Sequence, residues 1–178
     1  TWDLSLLYPD DSAWQEAFAR VQAEWPAVTK YKGRVAESAE TLREVLELEK
    51  TLNLQIEKLY HYAMLRVSED ASDDAHLQRE GVLQNLLTRI GEATAFVAPE
   101  IQAVGDETFE KYLANPLLEP WVTPLRKLRR LRLHTLSEPE ERLLALGSLA
   151  LHGHRDTFEQ LTNVDMRFGV LRDEKGEE

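Results

Sequence analysis

Cysteine is absent from these 178 residues, which excludes disulfide frameworks, thiol nucleophiles and thiolate metal sites together. Long apolar runs are absent as well. The longest uninterrupted ones span a few residues, far short of the roughly 20 that a membrane helix requires. No stretch reads as a signal peptide, so a cytoplasmic protein is the default expectation. Internal repeats and low-complexity tracts are missing too. Basic charge is scarce: 21 Lys and Arg stand against 32 Asp and Glu, a formal net charge of −11. That balance opposes general affinity for nucleic acid or anionic membranes and favours solubility.

What is present is hydrophobic content of 43%, enough to bury a core as one domain, or one domain with an appendage. Thr1 is not an initiator methionine, so the start as given is expected to be processed or trimmed.

Helical periodicity dominates. Asp10, Asp11 or Ser12 can cap a helix carrying Trp14, Phe18, Val21 and Trp25, which Pro26 ends. After the linker VTKYKGRVAES, Ser38 caps a long stripe of Leu42, Val45, Leu46, Leu52, Ile56, Leu59, Tyr60, Ala63 and Val67. That helix would be about 43 Å long at 1.5 Å per residue. The turn SEDASDD reverses the chain, Ser72 or Asp73 caps the next helix, and Leu77, Leu83, Leu86, Ile90, Ala93 and Val97 repeat the pattern. Two long helices joined by so short a turn should lie antiparallel. Pro99 should kink or end the third helix.

The second half reads as shorter pieces. Asp106 is expected to cap a segment with Phe109, Tyr112 and Leu113, which Asn115-Pro116 stops. Leu117 to Leu133 forms an amphipathic piece, with Pro120 and Pro124 at its start. Ser137 and Glu140 have capping-box spacing, and Pro139 fits the first turn that follows. Glu138, Glu140 and Glu141 suit the positive end of that helix. Gly147 and Gly153 should loosen the continuation, and a last short helix carries Phe158 and Leu161. From Val164 the apolar residues Val164, Met166, Phe168 and Val170 alternate with Asp165, Arg167 and Gly169. This is the pattern of a strand, followed by a turn at Asp-Glu-Lys-Gly and no room for a returning strand. The expected fold is therefore all-α, with long antiparallel helices, several shorter ones and a truncated β-strand or hairpin at the C-terminus. Its divisions are a helical domain over 1–163 and the start of a hairpin over 164–178.

Four constellations could carry chemistry. His152-Gly153-His154-Arg155-Asp156 has the H-x-H-x-D spacing of the metal motif of the metallo-β-lactamase fold, but Thr157 stands where that motif has another histidine and the surroundings are helical. A loop or helix start is the better reading. Arg126, Lys127, Arg129, Arg130 and Arg132 surround Leu125, Leu128 and Leu131, a basic amphipathic helix that could meet nucleic acid or membrane. With so many carboxylates in the same chain, an internally counter-charged face is preferred. The acid groups Asp10-Asp11, Glu69-Asp70, Asp73-Asp74 and Glu138 to Glu141 could do acid and base work, yet all lie where helix caps are expected. Trp2, Tyr8, Trp14, Trp25 and Trp121 could form a ligand platform, although aromatics at helical spacing are more often core. His61 and His76 have no second histidine three or four residues away. No catalytic, metal or substrate-binding residue is assigned.

Five segments in order, TWDLSLLYPDDSAW, YKGRVAESAETL, YAMLRVSEDASD, HTLSEPEERLLAL and LTNVDMRFGVLRDEKGEE, resemble the N-terminal part of oligoendopeptidase F, a family of zinc metallopeptidases related to thimet oligopeptidase. The resemblance covers nearly the whole chain. It implies a parent protein on the order of three times this length, whose catalytic half follows residue 178 and whose H-E-x-x-H helix and later glutamate hold one zinc. It also implies that the helical N-terminal region walls a channel admitting short peptides, so that oligopeptides and the protein's own catalytic domain are its partners. No His-Glu pair occurs in this chain, so zinc belongs to the missing part and the chain alone should be inactive. The unfinished hairpin would then mark where the polypeptide was cut. A stand-alone helical protein- or peptide-binding module is the alternative.

Overall fold

The computed structural model describes residues 3–134, 136–167 and 169; at 138, 141, 148–152 and 156 only the backbone is described. Among these residues there are seven α-helices and no strand. The first helix, α1 (Asp11–Glu24), starts where the Asp10 carboxylate accepts the Ala13 amide. A 3-10 stretch, Trp25–Tyr31, follows, with Pro26 in its first turn, where a missing N–H costs nothing. The long α2 (Ala39–Glu69) is capped by Ser38, whose hydroxyl accepts the Thr41 amide. After a short turn, Asp73 caps α3 (Asp74–Thr94) by accepting two amides, those of Ala75 and His76. α2 and α3 pack together as an antiparallel pair.

Next comes α4 (Val97–Ala103). The break before it falls at Ala95 and Phe96, four residues upstream of Pro99. A proline ring collides with the carbonyl at i−4 and cannot donate to it, so the ladder fails at Ala95 and Pro99 itself sits in the first turn of the new helix. α5 (Asp106–Leu113) begins at Gly105 without a side-chain cap, contrary to the capping role expected of Asp106; that carboxylate is drawn instead to arginines of a later helix. A 3-10 stretch, Pro116–Trp121, leads into α6 (Val122–Arg130). Finally α7 (Glu138–Gln160) runs 23 residues without interruption. Gly147 and Gly153 were expected to loosen it and do not. Helix α7 packs along α3, and lateral support offsets the roughly 1 kcal/mol that an interior glycine costs.

The strand expected from Val164 is corrected over its first residues. Leu161–Asp165 is a π-helical turn closed by the Met166 amide donating to the Leu161 carbonyl at 2.8 Å, and the Thr162 hydroxyl donates to the Phe158 carbonyl. Continuing the helix satisfies these groups locally, whereas a strand would leave them awaiting a partner. Phe158, Leu161 and Val164 also recur at helical spacing, so the same residues support both patterns. Met166, Arg167 and Gly169 have no regular structure. Positions 168 and 170–178, which carry the rest of the expected hairpin, lie outside the described residues.

Two apolar clusters form along α2. Around its first half, Leu42, Val45, Leu46 and Leu52 pack with Val97 and Ile101 of α4, Phe109 of α5 and Leu125 of α6. Around its second half, Leu59, Tyr62 and Ala63 pack with Trp14 and Val21 of α1 and Leu83 and Leu86 of α3. Trp25 touches both. One helix thus forms part of both cores.

Candidate functional site

The sequence motifs settle into structural roles. Positions 152 and 154 lie inside α7, where residues two apart are rotated by about 200° and do not share a face, so the H-x-H arrangement has lost its geometric basis. Among the described residues no group of three or more His, Cys, Asp or Glu could hold a metal ion. The described donors therefore do not assemble a zinc site.

In the basic helix, the Arg129 guanidinium donates to the Gln102 carbonyl at 2.7 Å and pairs with Asp106, which also lies 3.6 Å from Arg132. Arg129 further lies 4.6 Å from the Phe109 ring centroid. Leu125 is buried beneath. Part of the basic face is thus neutralised internally, while Arg126, Lys127 and Arg130 stay at the surface.

The paired acids are divided between caps and ion pairs. Asp10 and Asp73 cap helices, and Asp70 accepts the Ser72 amide and hydroxyl. Glu69 meets Arg66 at 2.9 Å. Asp11 accepts the Tyr62 hydroxyl at 2.9 Å and pairs with the buried Arg79. Glu140 accepts both the amide and the hydroxyl of Ser137, at 2.9 and 2.6 Å, which hold its carboxyl below the usual range. The aromatics belong to the interior: Tyr8 meets Tyr62 edge-on, Trp14 stacks on Phe18 and its indole donates to the Leu59 carbonyl at 3.1 Å. Trp25 and Trp121 pack against the clusters. Trp2 lies outside the described residues. His61 is exposed, and His76 lies beside the Asp70 carbonyl in the turn.

Two features remain that the motifs do not account for. One is a cleft of about 520 Å3 between α2, the junction of α3 and α4, α6 and α7. Leu46, Val97, Ile101 and Leu128 form its walls, and Glu49 projects among them. Burial pushes the Glu49 carboxyl up from its ordinary 4.5. The available sequence signal was its phase, since Glu49 follows Leu46 by three residues and precedes Leu52 by three, a carboxylate on an otherwise apolar stripe. The other is the outer side of α7 and its flanks. Leu133 is 92% exposed, Leu143 70% and Phe158 65%, with Leu136, Leu146 and Leu161 also open. Leu143 and Leu161 are separated by about five turns at 3.6 residues each, so they fall close to one line.

The family model described as Oligopeptidase F matches residues 100–168. Oligopeptidase PepF of Bacillus subtilis (strain 168) is 33% identical over 179 residues, covering 100% of this chain and 27% of that protein. The plasmid oligoendopeptidase F of Lactococcus lactis subsp. cremoris is 28% identical, covering 99% and 30%. The crystal structure of oligoendopeptidase-F from Enterococcus faecium superposes with a TM-score of 0.84 at 26% identity, over 94% of this chain and 33% of that one. The chain thus spans less than a third of the length of these relatives. In sequence and in fold together, it is a member of the oligoendopeptidase F family, corresponding to the N-terminal region of those proteins.

Proposed function

We propose that this chain is the helical wall of a cytoplasmic, zinc-dependent oligoendopeptidase, lining the channel that admits short peptides and contributing no catalytic group. The observation that carries the reading is similarity along the whole chain to the first part of relatives named oligopeptidases and oligoendopeptidases. In the parent, zinc would polarise the scissile carbonyl and activate water. The helices here supply shape: α2 joins two cores, and a helix held at both ends makes a stiff wall.

The open apolar side of α7 supports a covalent partner following this region. Among the described residues, nine of the fourteen large hydrophobics that are exposed lie between Leu131 and Met166, a concentration that marks an interaction surface. The remainder of the parent polypeptide would cover it. Reading the open reading frame beyond codon 178 tests the proposal. An H-E-x-x-H within the following few hundred codons is the expected result, and a stop codon would establish the stand-alone binding module instead.

A further inference from the structure

The cleft at Glu49 has the size and chemistry of a ligand site. Its volume of about 520 Å3 lies within the roughly 300–1,000 Å3 of small-molecule pockets. Gly91, Ala98 and Ala145 keep space open between the helices. Among the described residues, Glu49 is the one ionisable residue that lines it.

Glu49 also differs from the acids of the chain that meet a partner. Glu100 accepts two backbone amides, Glu92 pairs with Arg142, and Asp11 and Asp106 meet arginines. The Glu49 carboxylate has no hydrogen-bond or ion-pair partner among the described residues, and burial alone accounts for its raised pKa. A carboxylate partly withdrawn from water without a partner is disfavoured, and a cation entering beside it relieves that cost.

The walls narrow the choice of cation. A divalent metal needs several oxygen or nitrogen ligands, and here a single carboxylate stands among hydrocarbon; the nearby Thr94 hydroxyl is already donated to the Ile90 carbonyl. A monocation attached to an aliphatic body matches both parts of the site. The amino end of a peptide with a leucine-like first residue is such a group.

We propose that this cleft binds the ammonium terminus of a short peptide with an aliphatic leading side chain, Glu49 providing the counter-charge and Leu46, Val97, Ile101 and Leu128 the apolar contact. The choice of a peptide over other aliphatic amines rests on the oligopeptidase reading. The site itself rests on the cleft.

The probe is leucyl-leucine amide, which carries an ammonium and no carboxylate, titrated into the chain by calorimetry beside its N-acetylated form. The expected result is saturable millimolar binding of the free amide, with the acetylated form and the Glu49→Gln chain each about tenfold weaker. Ala98→Leu, which fills the cleft and keeps Glu49, should abolish binding. Unchanged melting of both variants excludes unfolding as the cause. Equal binding of free and acetylated forms, or full binding by Glu49→Gln or Ala98→Leu, overturns the proposal, as does no binding at all. Because the downstream reading frame tests the peptidase assignment separately, the two readings can fail independently.

Discussion

The Glu100 carboxylate accepts the Gly33 amide at 2.6 Å, joining α4 to a turn 67 residues earlier in the chain. Its second oxygen accepts the Val35 amide at 3.1 Å. One side chain therefore satisfies two backbone donors of the turn between the Trp25–Tyr31 stretch and α2, where Val35 enters the core. Glu100→Ala is expected to destabilise the fold by about 2–3 kcal/mol, because hydrogen bonds to charged groups are the stronger kind and the amides lose their acceptor. Urea denaturation of the two chains measures it.

Gly33 has φ of +78°, and a Cβ added there would meet nothing within 4 Å. The cost of Gly33→Ala is then purely conformational, about 1 kcal/mol for the left-handed region. A much larger loss in denaturant melts would mean that the turn itself rearranges.

Glu49 makes stability depend on pH in a predictable sense. Its folded carboxyl titrates above the ordinary 4.5, so the folded state favours the protonated form. Stability contributed by this group should be greatest below 4.5 and fall as pH rises through the higher folded value. Glu49→Gln should remove that component, which paired melts across pH 4 to 8 would register as a smaller decline.

Ser137 and Glu140 provide the opposite sign. The hydrogen bonds that depress the Glu140 carboxyl favour the folded state above 4.5 and are lost as pH falls through the depressed value. Ser137→Ala should return the Glu140 titration toward 4.5, followed by NMR, and lower the melting midpoint. An unmoved titration would place the start of α7 elsewhere.

Arg79 is buried, with its guanidinium 5.8 Å from the Trp14 ring and 5.7 Å from the Tyr62 ring, and one of its terminal nitrogens has no hydrogen-bond partner among the described residues. Asp11→Ala would leave that charge facing the core. The expected loss is about 1–3 kcal/mol, below the value for a fully buried pair because Asp11 is half exposed. Chemical denaturation reads it, and Asp11→Glu should restore most of it.

The sequence by itself determined the helices, most of their caps and the antiparallel pairing of α2 with α3. Ser38, Asp10 and Asp73 act on amides two or three residues away, and the 42–46–52–59 stripe repeats within one helix, so the causes are local and can be read along the chain. The ordered segments likewise carried the family. Tertiary structure decided what long-range contact controls. Packing on α3 kept α7 whole through two glycines, Arg129 drew Asp106 from a cap into an ion pair, and a helical turn claimed Val164 and Asp165 from the alternating pattern. Glu49 came to line the cleft for the same reason. Its phase on α2 is local, but the cleft is formed by helices that approach it from more than 40 residues away, and no periodicity encodes which hydrocarbon will surround a carboxylate.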